Sequence, residues 1–233
     1  MSRASDLYFR QIPVGQMANF AYLVGSRSAR QALLVDPAWE VEGLLAAAAE
    51  DDVEVVGALV THYHQDHVGG EIFGHAIEGL GKLLAVAPVP IHVQRDEAEG
   101  LKRITGVSES DLARHEGGDA VSLGQVRVRL LHTPGHTPGS QCFLVEEASG
   151  PGRLVSGDTL FLGSCGRVDL PGADPEAMYH SLNGTLKALP DETIVYPGHL
   201  YSASPSGSLG EEKRGNPYLR VSSLAQFLTF MGY

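Results

Sequence analysis

One short run constrains this chain more than any other feature: His62-Tyr63-His64-Gln65-Asp66-His67, arriving directly after the apolar stretch 53–61. In extended chain, residues two apart share a face, so His62 and His64 can converge on one ion. Asp66 and His67 lie a step further, where a turn can aim them at a second ion. Motifs of the H-E-x-x-H kind pair their histidines by the helical period instead, so this run reads as a loop at a strand end. Gly69-Gly70 then lets the backbone turn toward a following helix. The bland alternative is a polar loop with three surface histidines.

Three further segments share the same local grammar. His132-Thr133-Pro134-Gly135-His136-Thr137-Pro138-Gly139 follows the apolar stretch 128–131, Gly157-Asp158-Thr159 follows Leu154-Val155-Ser156, and Pro197-Gly198-His199 follows Ile194-Val195-Tyr196. Loops at strand ends are where rigid scaffolds hold functional groups, so these segments are expected to meet at one sheet edge. Their candidate ligands are His136, Asp158 and His199. Imidazole and carboxylate together suit Zn, Mn and Fe. His132, at a strand end, is expected to pack or to hydrogen-bond near a ligand. His75, His92, His115 and His180 read as structural, His180 as a packing residue within a helix.

Around these motifs, residues 7–12, 20–24 and 32–35 read as consecutive strands, broken by Pro13-Val14-Gly15 and Gly25-Ser26. Asp36-Pro37 stops the third, 41–49 is helical by propensity, and 53–61 returns as a buried strand. A second set follows, with strands at 127–132, 141–145 and 153–156, a helix over 175–189 and a last strand at 193–196. Two sets of strands followed by helices give an α/β protein of αββα type, two stacked sheets with helices outside. Segments 79–90 and 203–215 read as loops, and 219–230 as a closing helix.

Composition narrows the function. Of 233 residues, Lys and Arg number 17 against 28 Asp and Glu, a formal charge of −11. That balance argues against a nucleic-acid surface, which needs clustered cations. A small anionic substrate stays open, because bound metal ions reverse the local field. No apolar stretch is long enough to span a bilayer, so no membrane partner is expected. Residues 1–10 lack the apolar core of a secretory signal, and a cytoplasmic location is expected. Two cysteines, Cys142 and Cys165, are too few for a disulfide framework.

The four motifs, in this order and spacing, resemble the metallo-β-lactamase superfamily over residues 7–218. The resemblance implies the four-layer αββα sandwich as a single domain over 1–233, with 202–233 as loop and short helix closing it. It implies one metal held by His62, His64 and His136, a second by Asp66, His67 and His199, and Asp158 bridging both. Two such cations, roughly 3.5–4 Å apart, can share a water and bring its pKa near neutrality. The resulting hydroxide would attack an acyl carbon, with Asp66 as the candidate catalytic residue that orients it or moves its proton.

Downstream, Leu160-Phe161-Leu162-Gly163-Ser164-Cys165-Gly166-Arg167-Val168-Asp169 resembles two glutathione-using branches of that superfamily, its last five residues looking more like the dioxygenase branch. One is the glyoxalase II group, hydroxyacylglutathione hydrolases that use a metal pair, Zn or Fe and in some settings Mn. The other is the persulfide dioxygenases, which use a single Fe(II) on the counterparts of His62, His136 and Asp158. In both, the counterparts of Arg167 and Tyr201 bind the substrate; the structural alternative for Arg167 is an ion pair with Asp169. Cys165 matches a cysteine near the site in many dioxygenases and some hydrolases and is equally suited to a small buried position. Val68-Gly69-Gly70 and the tail 209–219 look more like the hydrolases. The chain ends at Tyr233 without the helical C-terminal domain of long glyoxalase II enzymes, which leaves a lactone or another thioester as further substrates. The expectation is therefore a metallohydrolase of thioester type, with the Fe(II) dioxygenase as alternative and a non-enzymatic metal-binding scaffold as a third class.

Overall fold

The structure, a computed structural model, describes residues 5–147 and 150–233. Strands β1 (Leu7–Val14), β2 (Asn19–Ser26) and β3 (Gln31–Val35) form an antiparallel meander. Helix α1 (Val41–Glu50) then carries the chain over to β4 (Glu54–Leu59), which pairs parallel with β3. A single helical turn follows, α2 (Gln65–Val68), then a small hairpin of β5 (Gly70–Ile72) and β6 (His75–Ile77). Helix α3 (Leu80–Val86), strand β7 (Ile91–Gln94), helix α4 (Ala98–Thr105) and strand β8 (Leu112–His115) complete a sheet of order β1-β2-β3-β4-β7-β8.

The second half repeats the plan. Strands β9 (Ala120–Leu123), β10 (Val126–His132), β11 (Gln141–Glu146) and β12 (Arg153–Gly157) run antiparallel. The hairpin β13 (Leu160–Phe161) and β14 (Ser164–Cys165) leads to helix α5 (Pro175–His180), which continues as a wider turn over Ser181–Leu186. Strand β15 (Ile194–Pro197) then pairs parallel with β12, and β16 (Gly207–Ser208) lies at the edge. Helices α6 (Leu209–Gly215), α7 (Pro217–Arg220) and α8 (Leu224–Met231) close the chain. This sheet has the order β16-β15-β12-β11-β10-β9.

Alternation along the strands decides how the layers stack. Tyr22, Leu33, Val35 and Leu59 of the first sheet meet Val128, Leu130, Phe143 and Val155 of the second, forming the core between sheets. The opposite face of the first sheet buries Leu23, Leu34 and Val60 against Leu44, Leu80, Leu83 and Leu101 of its helices. The second sheet covers its outer face with Met178, Leu182, Leu209, Leu219 and Phe227. The result is the expected αββα sandwich. Among the described residues, no helix is long and apolar enough to cross a membrane.

Several local expectations are corrected. Segments 79–90 and 203–215 contain helices α3 and α6, because Leu80, Leu83 and Leu209 are fully buried and anchor them. Gly69-Gly70 opens a hairpin, with both residues at positive φ, and the following helix starts only at Leu80. The closing helix is two pieces, α7 and α8, since the Ser223 side chain caps a fresh start by accepting the Gln226 N–H. His180 is exposed at the end of α5, 3.9 Å from Glu176, and packs into no core.

On the outer part of the first sheet, His92 of β7 meets His115 of β8, Nδ1 to Nε2 at 2.9 Å. Burial, then the neighbouring His115, lowers His92 to about 4. An unfolded histidine takes its proton near its ordinary value of about 6.5, so the unfolded chain binds more protons below that pH. Stability is therefore expected to fall as pH drops from about 6.5 toward 4. His92→Asn should flatten part of that slope in urea unfolding; an unchanged slope would remove His92 from the account.

Candidate metal centre

All four ligand-bearing segments leave the sandwich at one edge. The chain passes from β4 into His62 and His64, from β10 toward His136, from β12 into Asp158 and from β15 into His199. Backbone bonds tie the sheets together there: Gln141 N–H donates to Thr61 O at 2.9 Å, and Phe20 N–H donates to Gly198 O at 2.8 Å. Glycine is required at the His136 turn. Gly135 sits at φ +140, and a Cβ there would lie 2.5 Å from the Met178 backbone.

The structure brings together all seven side chains singled out in the four motifs. His62, His64 and His136 form one group, His62, His67 and Asp158 a second, and Asp66, His67 and His199 a third; within each, one donor atom per residue lies within 4.8 Å of the others. Each group can hold a cation. The cluster is deep: His62 and His67 are each 1% exposed, and His136 and His199 2%.

Hydrogen bonds on the outer nitrogens decide which way the imidazole lone pairs point. His67 Nδ1 donates to Asp36 Oδ2 at 2.9 Å, His199 Nδ1 to Met17 O at 2.9 Å, and His136 Nδ1 to Arg167 O at 2.8 Å. Thr61 Oγ1 donates to Asp36 Oδ2 at 2.6 Å, so it accepts from His62 Nδ1 at 3.0 Å. With Nδ1 protonated in all four rings, each neutral ring turns a bare Nε2 inward. His136 Nε2 then lies 3.0 Å from His64 Nδ1, and His67 Nε2 lies 3.1 Å from His199 Nε2. With Nε2 deprotonated, the His67–His199 pair faces lone pair to lone pair and is satisfied by a cation between them, a proton or a metal ion. His62 Nε2 and Asp158 Oδ1 are buried without a hydrogen-bond partner among the described residues. The donor set therefore fits metal cations, and each Nδ1 partner is of the kind that fixes a metal-binding histidine.

The electrostatics divide the cluster. Burial, then the surrounding imidazoles, holds His62 well below its ordinary range, and the same causes bring His64 to about 4. Burial works the same way on His67, but Asp66, Asp158 and Asp36 outweigh it and raise the ring to about 9. Asp158 and Asp66 likewise raise His199 to about 10 against burial. Asp66 stays far below the usual carboxylate range despite burial, because His67, His199 and Asn19 favour its ionised form. The half built from Asp66, His67 and His199 thus attracts positive charge strongly, while the His62–His64 half resists protonation and keeps its nitrogens free.

Arg167 and Tyr201 flank the cluster. The Arg167 guanidinium is exposed and pairs twice with Asp169, at 2.7 and 2.8 Å, while its backbone oxygen supports His136. The Tyr201 ring stacks on His199 at 4.7 Å and 9°, and its edge meets Phe161. Cys165 sits in the β13–β14 hairpin, where burial pushes its thiol up to about 12, which fits a packed residue rather than a reactive one. His132 donates to or accepts nothing in the cluster; its Nε2 donates to Pro138 O at 3.0 Å.

Supporting residues escaped the sequence reading. Asp36, read there only as a strand stop, accepts from Thr61 N–H, Thr61 Oγ1 and His67 Nδ1. Its position directly after a buried strand repeats the grammar of Asp158 and was the available signal. Its φ of +50 is one that Asp tolerates better than most side chains. Trp39 donates from Nε1 to Asp66 O at 3.0 Å. Glu97, fully buried, accepts from Tyr63 N–H at 2.6 Å, Thr137 Oγ1 at 2.8 Å and Gly139 N–H at 2.8 Å, clasping the loop of His62 and His64 to that of His136. In the sequence it stands in a run of surface-like acids and carries no distinguishing signal.

A four-layer sandwich with a histidine and aspartate cluster at one sheet edge defines a class of metal-dependent enzymes. The chain belongs to the metallo-beta-lactamase superfamily, whose sequence profile matches residues 14–199. It is similar to a hydroxyacylglutathione hydrolase of Alkalilimnicola ehrlichii, 36% identical over 86% of this chain and 69% of that protein. It is also similar to the human mitochondrial persulfide dioxygenase ETHE1, 29% identical over 98% of this chain and 82% of that protein. Among solved structures, TTHA1623 in a di-iron-bound form superimposes with a TM-score of 0.69 at 34% identity, covering 90% of this chain and 100% of that one.

Burial pushes Glu97 up to about 7 even though three hydrogen bonds favour its ionised form. Glu97→Ala would leave those donors without their acceptor, at about 1 kcal/mol or more each. Urea unfolding of the metal-free protein should show a loss of about 3 kcal/mol. A loss under about 0.5 kcal/mol, the range of ordinary surface substitutions, would show that the clasp is not needed.

Proposed function

We propose that the protein is a dinuclear metallohydrolase of thioester type, with hydroxyacylglutathiones as the substrate class and residues 1–233 working as one domain. What carries this reading is the complete set Asp66, His67 and His199, whose imidazole Nε2 atoms and carboxylate oxygen face one point. The carboxylates around that set favour a positive charge among its ring nitrogens, which supports a cation there. His62, His64 and His136 would hold one cation and Asp66, His67 and His199 the other, Zn, Fe and Mn all being suited to these donors. Asp158 reaches both groups, 3.4 Å from His67 and from His199 and 3.6 Å from His136.

Bound cations would lower the pKa of a shared water and polarise the acyl oxygen of the substrate. Asp66 is proposed to orient the attacking water while serving as a ligand. Water adds at the acyl carbon, the carbon–sulfur bond breaks, and a carboxylic acid and a thiol leave. Arg167 is proposed to exchange its exposed partner Asp169 for a substrate carboxylate, a geometry that guanidinium matches well. Tyr201 offers a half-exposed aromatic wall beside His199. Likeness to the hydroxyacylglutathione hydrolase and to a di-iron-bound structure supports this reading.

A second reading is oxidation of glutathione persulfide at a single Fe(II) held by His62, His136 and Asp158, two histidines and a carboxylate. It is favoured by the run Cys165-Gly166-Arg167-Val168-Asp169 and by likeness to the human dioxygenase along nearly the whole chain. A lactone or other ester is a minor alternative substrate for the hydrolase.

Metal stoichiometry on anaerobically purified protein, paired with an oxygen electrode and a thioester assay, separates the readings. Two ions per chain with thioester turnover is expected; one iron per chain with oxygen uptake on glutathione persulfide would replace the proposal by the second reading. His62→Ala and Asp158→Ala should abolish activity under both. Asp66→Ala and His199→Ala should lower metal content toward one ion and cut hydrolysis about 100-fold or more, as losses at a metal shell do. Unchanged activity and metal content in that second pair would rule out the two-ion scheme. Arg167→Ala should raise KM by up to about tenfold with kcat little changed, the pattern of lost uniform binding.

A further inference from the structure

Asn19 is a buried amide facing this cluster, and it has no part in the scheme above. It is 1% exposed, and its Nδ2 lies 2.9 Å from Asp66 Oδ2, 3.4 Å from His67 Nε2 and 3.5 Å from His199 Nε2. Those three atoms stand 3.1 to 3.4 Å from one another. The amide therefore caps a triangle of ligand atoms almost symmetrically. Its other end, Oδ1, is buried without a partner among the described residues. A buried oxygen left unpaired is costly, which makes this orientation one that the Asp66 contact has to maintain.

The orientation follows from its neighbours. Asp66 Oδ2 is a carboxylate oxygen and can only accept, and it is the nearest of the three atoms to the amide, at 2.9 Å. That acceptor requires the NH2 end, not the oxygen, at the vertex. The backbone allows little drift. Asn19 bridges to His199, Phe20 N–H donates to Gly198 O at 2.8 Å, and Leu200 N–H donates to Ala18 O at 2.8 Å. Ala18, just before it, is held at φ +59, a conformation that costs an alanine roughly 1 kcal/mol and that aims the next residue inward.

We propose that Asn19 is the positioning residue of the second cation position: its amide fixes the ligating oxygen of Asp66 and shields the outer face of the group, and so sets how tightly the second ion is held. Asp66 would otherwise be free to turn about χ2 and offer its charge to water. This rests on the two-ion reading, and it makes occupancy of the second position a property of this asparagine as well as of the ligands themselves.

The test is stepwise Zn2+ titration of the metal-free protein against a chromophoric chelator, with the optical spectrum of the Co2+-loaded form as a second readout. Asn19→Leu keeps the volume and removes the donor; Asn19→Ala removes both. Both variants are expected to bind the second equivalent ten- to a hundred-fold more weakly, the usual effect of losing a partner that orients a ligand. The first equivalent should be unchanged, and the Co2+ bands of the second site should shift. Wild-type affinities and spectra for both equivalents in Asn19→Leu would overturn the proposal. If a variant also loses the first equivalent, the crystal structure of the metal-loaded wild type decides. Nδ2 within hydrogen-bond reach of Asp66 Oδ2 supports the assignment, and an amide turned away, or bound to the ion through its oxygen, overturns it. If the wild type itself binds only one equivalent, the two-ion reading fails first and takes this inference with it, an outcome distinct from failure in the variants alone.

Discussion

The hydrogen bond on the outer nitrogen of each buried histidine is the interaction on which the site depends. An imidazole can turn a lone pair inward only if its other nitrogen has somewhere to place a proton. Here that place is a carboxylate for His67, a hydroxyl for His62, and backbone oxygens for His136 and His199. For His67, His136 and His199 the acceptor comes from a distant stretch of chain, and for His62 it is the neighbouring Thr61, itself held by Asp36. The direction of each of these ligands is therefore decided by packing elsewhere. Asp36 is the extreme case: one carboxylate at the end of β3 fixes Thr61, and with it His62, as well as His67.

That dependence requires the two sheets to be tied at the edge that carries the chemistry. Two sheets packed by apolar side chains can slide, since the hydrophobic effect has no direction. The cross-sheet bonds from Gln141 to Thr61 and from Phe20 to Gly198 remove that freedom just beside the ligands. Glu97 adds a third constraint from a helix start in the first sheet to the Thr137–Gly139 loop of the second. A Cβ on Gly139 would lie 2.4 Å from Glu97 N, so the close approach of that loop depends on a glycine.

Much of this was legible in the sequence, for identifiable reasons. The layer order followed from strand sets each ended by helix, and the seven clustered side chains from four segments with one grammar, apolar strand then Gly or Pro beside His or Asp. What escaped was set by tertiary contact. Helices α3 and α6 lie in stretches rich in Gly, where propensity favours loops and the burial of Leu80, Leu83 and Leu209 overrides it. Glu97 is invisible because only its burial separates it from Asp96 and Glu99 beside it. Asn19 stood outside the strand read from residue 20, and one added residue of β2 is what points its amide at the cluster.

The division of charge within the cluster bears on how one scaffold can serve two chemistries. His62, His136 and Asp158 belong to both proposed schemes, and they sit where the ring nitrogens are kept free of protons or paired with a carboxylate. Asp66, His67 and His199 matter only to the two-ion scheme, and there the field of three carboxylates favours any positive charge, a proton or a metal. A metal ion entering that half competes with protons on His67 and His199, so its hold weakens as pH falls while the other half is less affected. Under the two-ion scheme, the occupancy of that half is then a balance between proton and metal. Asp36, which accepts from His67 Nδ1, and Asn19, which donates to Asp66, bear on that balance through the ligands they hold.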